Sequence, residues 1–157
     1  MKKILNPWVH RKGYHCFGCA PDNLSGLKMT FYEDGDEIVS VWKPDDRFQG
    51  WLNTMHGGIL ATLLDETAGW VVFRKMQTAG VTSKMETRFL KPVSTDDEYL
   101  TIRASIASVK RNLVTIEATV SNAVGEICTR ASLLYFTYPK EYAEKKMLFN
   151  GCRTEEE

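Results

Sequence analysis

Residues 55–70 read MHGGILATLLDETAGW, an apolar run that opens on a histidine and two glycines and carries two acids in its middle. His56, Gly57 and Gly58 stand where a helix begins. The first amides of a helix have no intrahelical acceptor, and glycines there leave the positive end of the helix dipole open to approach. An acyl carbonyl can dock on such amides, which stabilise its oxygen as charge develops. Asp65, set among apolar residues, is the candidate proton acceptor. At about 100° per residue, Gly58, Thr62, Asp65 and Gly69 fall in a stripe about 60° wide, where a ligand or another backbone can come close. The same small residues also suit tight helix packing, and an Asp at a rim also serves structure. Gly57 and Asp65 are eight residues apart, about 12 Å along an α-helix. One carbonyl cannot touch both on one helix, so joint action requires the helix of a second subunit, with two identical sites about a two-fold axis.

Other chemistry-bearing residues are fewer. Glu66 points about 100° away from Asp65 and is expected to make a polar contact, with substrate contact as the alternative. Cys16 and Cys19 form a CxxC beside His10 and His15, but Cys128 and Cys152 supply no second pair at zinc-ribbon spacing. Reduced thiols and no metal are therefore expected. Lys110 and Arg111 sit at a turn, where charged residues are routine, yet a basic tip also suits the phosphates of a ligand. Phe48, Trp51, Trp70 and Phe73 are candidates for an acyl pocket or for simple packing.

These residues must be positioned by the rest of the chain. Leu27–Tyr32 and Glu37–Trp42 read as strands joined at Asp34-Gly35, a strong hairpin signal. A helix is expected from about His56 to Arg74 or Lys75. Then come strands with a period of two. Ser83, Met85, Thr87 and Phe89 share one face against Thr82, Lys84, Glu86 and Arg88, and residues 98–109, 113–120 and 126–139 continue the pattern across turns near Lys110–Asn112 and at SNAVG. Two strands, one long helix and then a meander describe an α+β domain with an antiparallel sheet of five to six strands against one central helix. One domain over residues 1–157 is expected, with residues 1–20 and 141–157 peripheral and the tail frayed.

Composition narrows the partners. Lys plus Arg number 20 and Asp plus Glu number 20, so no net field recruits nucleic acid or an acidic membrane. The start, MKKILNPWVHRKGY, breaks at Asn6-Pro7 before a signal-peptide core, and no apolar stretch is long enough to span a bilayer, so a cytoplasmic location is expected.

The segments FQGWLNTMHGGILATLLDETAGW and GVTSKMETRFLKPV, preceded by CFGCAPDNLSGLKMTFY, resemble the hotdog-fold acyl-CoA thioesterases of the phenylacetyl-CoA type over roughly residues 16–138. The resemblance implies a helix wrapped by the sheet, a homodimer with two interfacial sites, tetramers in many members, and an acyl-CoA substrate with no separate cofactor. It implies Asp65 as general base or nucleophile, the Gly57 amide as oxyanion donor, His56 as a residue orienting the thioester or its loop, and Thr82 as holder of the attacking water. Some relatives carry Asn where this chain has Gly50; Asn53 or Gln49 is the substitute. Rival readings are a non-catalytic acyl-CoA binder on the same fold and, ranked lower, a hydratase or dehydratase.

Overall fold

A computed structural model describes residues 1–157. In chain order its elements are β1 (Lys2–Lys3), β2 (Tyr32–Asp34), β3 (Glu37–Trp42), α1 (Gly57–Val71), β4 (Gly80–Phe89), β5 (Leu100–Lys110), β6 (Leu113–Ser121), β7 (Ile127–Thr137) and α2 (Lys140–Lys146). The strands form one antiparallel sheet in the order β1-β2-β3-β5-β6-β7-β4. It has seven strands where five to six were expected; the two-residue β1 had no periodicity to announce it.

The alternation read from the sequence is the alternation that packs. Leu100, Ile102 and Ala104 of β5, Val114, Ile116, Ala118 and Val120 of β6, and Ala131, Leu133 and Tyr135 of β7 are buried under α1. From the helix come Leu60, Leu63, Leu64, Ala68 and Val71. Each such Leu or Val contributes about 2 kcal/mol by leaving water. The helix continues through a π-helical turn, Val72–Met76, and stops at Gln77, whose φ of 52° is left-handed.

Two expectations on strands change. Residues 27–31 do not pair as a strand: Lys28 has a left-handed φ of 51°, and the polar groups are taken elsewhere, since Leu27 N–H donates to Phe17 O (2.8 Å), Met29 N–H to Gly18 O (2.9 Å), and Leu27 O accepts from Trp42 Nε1 (2.8 Å). In β4 the pairing with β7 slips between Thr82 and Lys84. The bulge puts Thr82 opposite Tyr135 and Met85 opposite Leu133, so both face the helix, whereas strict alternation had put them on opposite faces.

The chain ends are tied down rather than frayed. Trp8 packs against Phe73, Trp70 and Phe149, with ring centroids 4.9, 6.2 and 5.9 Å away. Phe149 and Cys152 are 4% and 2% exposed. Leu5 N–H donates to Arg153 O (2.8 Å) and Glu155 N–H to Lys3 O (2.9 Å). Arg74 clasps Glu33 Oε2 (2.9 Å), Cys152 O (2.9 Å) and Glu157 Oε2 (2.9 Å). The Arg74 hydrogen bond holds the Glu33 carboxyl below its usual range. A depressed carboxyl stabilises the fold above its unfolded value of about 4.5 and loses that contribution as pH falls through the lower folded value. Lowering pH from 5 toward 3 should therefore raise amide exchange in residues 149–157 before the β5–β7 core, and Arg74→Ala should produce the same loosening at neutral pH. Exchange of tail and core in step would show the clasp to be unimportant.

Candidate active site

At the start of α1 the His56 ring caps the helix: its Nδ1 accepts the Gly58 amide at 2.8 Å. The Ile59 and Leu60 amides reach His56 O at 3.0 and 3.1 Å. That leaves the Gly57 N–H as the one first-turn amide without an acceptor in the chain. The Phe89 ring stands over this residue, 3.4 Å from where a Cβ on Gly57 would lie.

Two turns on, Asp65 is partly buried, and its Oδ1 accepts from Thr82 Oγ1 at 2.6 Å. The Tyr135 hydroxyl lies 2.7 Å from Asp65 Oδ1 and 2.7 Å from Asp65 O, with one proton to give. Burial, reinforced by the Asp65 charge, holds Tyr135 well above the usual phenol range, so it stays a donor. Oδ2 receives no hydrogen bond from the chain. The carboxylate is thus fixed through one oxygen and free at the other, as a proton acceptor requires.

Asp65, Thr82 and Tyr135 line a cavity of about 380 Å³ with Glu66, Gly69, Phe73, Gly80, Val81, Trp8, Tyr14, Cys16 and Cys19. Glu66 Oε1 accepts from Trp70 Nε1 (3.3 Å) and stands 3.4 Å from Cys16 Sγ. Burial pushes its carboxyl up to about 7, with the Cys16 sulfur adding to the effect. The fold therefore gathers Asp65, Glu66 and Thr82 in one cavity, while Gly57, Gly58 and His56 stay at the other end of the helix.

The sequence matches the Thioesterase superfamily over residues 52–129, about half of the chain. The chain belongs to that superfamily. Among solved structures, a thioesterase superfamily protein superposes with a TM-score of 0.71 at 24% identity, over 77% of this chain and 62% of that one. A hypothetical thioesterase from Streptococcus pneumoniae with coenzyme A gives 0.66 at 25% identity, over 71% of this chain and 87% of its own. The Escherichia coli PaaI protein from the phenylacetic acid degradation operon gives 0.66 at 17%, over 73% and 82%. The fold is the hotdog fold. No curated protein matches the sequence.

Within this thioesterase-superfamily chain the remaining candidates spread out. Asn53 has a left-handed φ of 61° on an exposed loop, and Gln49 bridges to Met55 with its side chain exposed. Neither lines the Asp65 cavity. Lys110 and Arg111 lie exposed at the β5–β6 turn, and Arg111 borders a separate recess with Phe136 and Tyr142. Of the aromatics proposed for an acyl pocket, Phe73 lines the cavity, Trp70 stacks on Phe31 (4.7 Å), Phe48 leans on Trp42 (5.6 Å) and Trp51 is 81% exposed. Sequence reasoning missed Tyr135, Trp8 and Tyr14. Tyr135 was one more residue in an alternating strand, and the other two belong to a segment without periodicity.

Proposed function

We propose that the protein is an acyl-CoA thioesterase working as a homodimer, in which Asp65 of one subunit and the Gly57 amide of the other serve one thioester. The observation that carries this reading is the course of β4. The strand is the free edge of the sheet and runs from Thr82, bonded to Asp65, to Phe89, which stands over Gly57. A second copy paired antiparallel along β4 brings its own Gly57 end to the Asp65 of the first. The unpaired edge, with Val81, Phe89 and Leu90 exposed along it or just beyond its end, is what such a copy would cover. Coenzyme A and acetyl-CoA in the Streptococcus pneumoniae and Streptococcus mutans structures support the substrate class.

The chemistry follows from the site. Asp65 Oδ2 takes a proton as water oxygen attacks the thioester carbon. Charge on the tetrahedral oxygen faces the partner's Gly57 amide at the dipole end of its helix. Collapse breaks the C–S bond, and the CoA thiolate leaves and is protonated. Thr82 and Tyr135 act by aiming Asp65, through hydrogen bonds to a charged oxygen of the kind that contribute about 1.5–3 kcal/mol. Thr82→Ala or Tyr135→Phe should each lower kcat by roughly 10- to 100-fold with KM little changed. A change confined to KM would move these residues from aiming Asp65 to binding substrate.

The direct test is thiol release by the wild type from a panel of aromatic and aliphatic acyl-CoAs. Turnover of any member supports the reading; an inert protein that still binds acyl-CoA would make it a binder without catalysis.

A further inference from the structure

The cavity has a second chemical wall that the proposed hydrolysis does not use. Cys16 and Cys19 lie on one helical turn, closed by Ala20 N–H donating to Cys16 O at 3.1 Å. That turn stacks the i and i+3 side chains, and Cys19 Sγ donates to Cys16 Sγ across 3.3 Å. Behind it the donors form a relay: Asn6 Nδ2 reaches Tyr14 Oη at 2.9 Å, and Tyr14 Oη lies 2.9 Å from Cys19 Sγ. Glu66 Oε1 is 3.4 Å from Cys16 on the other side. A Cβ at Gly18 would sit 2.4 Å from the Glu66 carboxyl carbon, so a glycine there is what lets the acid approach the thiols.

The pair is unsymmetrical. Both thiols border the cavity, but Cys16 is half-buried whereas Cys19 is only 6% exposed. Cys16, Cys19 and Glu66 are also a possible three-donor metal cluster. Two thiolates on tetrahedral zinc would stand about 3.8 Å apart at Zn–S distances of about 2.3 Å. The sulfurs here are closer, and one hydrogen-bonds the other, which fits a thiol paired with a thiolate.

We propose that Cys16 and Cys19 are a redox-modification site, a reactive dithiol that a low-molecular-weight disulfide entering the cavity converts to the Cys16–Cys19 disulfide. Cys16 thiolate attacks one sulfur of RS–SR; that S–S bond breaks, one RS⁻ leaves and is protonated by solvent, and Cys16 holds the other half as a mixed disulfide. Cys19 gives its proton to Glu66 and attacks Cys16 Sγ, expelling the second RS⁻, which takes up a proton. The two cysteines lose two electrons and RS–SR is reduced to two RSH. The sulfurs need to close from 3.3 Å to about 2.05 Å, a side-chain movement. Electrostatics favour these roles. The hydrogen bond from Cys19 holds Cys16 below the usual thiol range, and that same bond together with burial pushes Cys19 up. The buried Glu66 carboxyl, near 7, is suited to hold the transferred proton.

The test uses the full-length reduced protein with oxidised glutathione, followed by mass spectrometry. The expected result is a Cys16–Cys19 disulfide reversed by dithiothreitol, a stable glutathione adduct on Cys16 in Cys19→Ser, and no reaction at this loop in Cys16→Ser. A measurement on the wild type is independent of whether the variants fold: alkylation by iodoacetamide should select Cys16 over the buried Cys128 and Cys152. Its rate should change less than about twofold between pH 8 and pH 6, against about 80-fold for an ordinary thiol. The groups facing Cys16 in that profile are Cys19, Glu66, Tyr14 and Asp65. Absence of the disulfide, an ordinary alkylation profile, or stoichiometric zinc whose chelation unmasks the thiols would each overturn the proposal.

Discussion

Asp65→Asn should abolish thioester hydrolysis while leaving the fold intact. Asparagine keeps the shape of the side chain, and its amide oxygen can accept the Thr82 and Tyr135 hydroxyls that now hold Oδ1 at 2.6 and 2.7 Å. The change falls on the other atom. Where Oδ2 is free to take a proton, the variant presents an NH₂ group, a donor with no basic lone pair to offer. Removal of a positioned general base costs about two to four decades in rate. The expected outcome is kcat for the best acyl-CoA reduced by at least about 100-fold, an unchanged circular dichroism spectrum, and acyl-CoA binding close to wild type. A folded variant that turns over normally would remove Asp65 from the chemistry and return it to the role of a satisfied rim residue.

The site was only half legible in the sequence, for physical reasons. Asp65 and the two glycines announce themselves because an acid inside an apolar helical period and a pair of glycines at its start are local conflicts with good helix design. The strands of the meander are equally local, since a period of two runs through residues 100–105 of β5, 113–120 of β6 and 129–137 of β7. What failed depended on partners far away in the chain. A bulge at Ser83 is set by how β4 registers on β7, and it alone turns Thr82 toward Asp65. Tyr135 reaches Asp65 across 70 positions of sequence. The tail reads as charged and loose, yet its carboxylate finds Arg74, 83 positions away. His56, expected to orient the thioester or its loop or simply to cap that loop, accepts the Gly58 amide on its ring nitrogen.

That cap gives the second large prediction its sharpness, because it singles out one amide. Gly57→Pro should remove the oxyanion donor and little else. Gly57 is the first residue of α1, the position where proline is best tolerated, and His56 before it has φ −64° and ψ 130°, the extended conformation proline requires of its predecessor. A Cβ there meets Phe89 at an ordinary 3.4 Å. Loss of one such donor lowers kcat by about 100- to 1,000-fold. The subunit question then becomes a mixing experiment. A dimer built from one Asp65→Asn chain and one Gly57→Pro chain has one site with both defects and one with neither, because each site draws its acid and its amide from different chains. Random pairing at equal amounts makes about half the dimers mixed, so the mixture should recover about one quarter of wild-type turnover while each parent alone stays near zero. If the acid and the amide of one chain served the same site, every site in the mixture would carry a defect, and no activity would return on mixing.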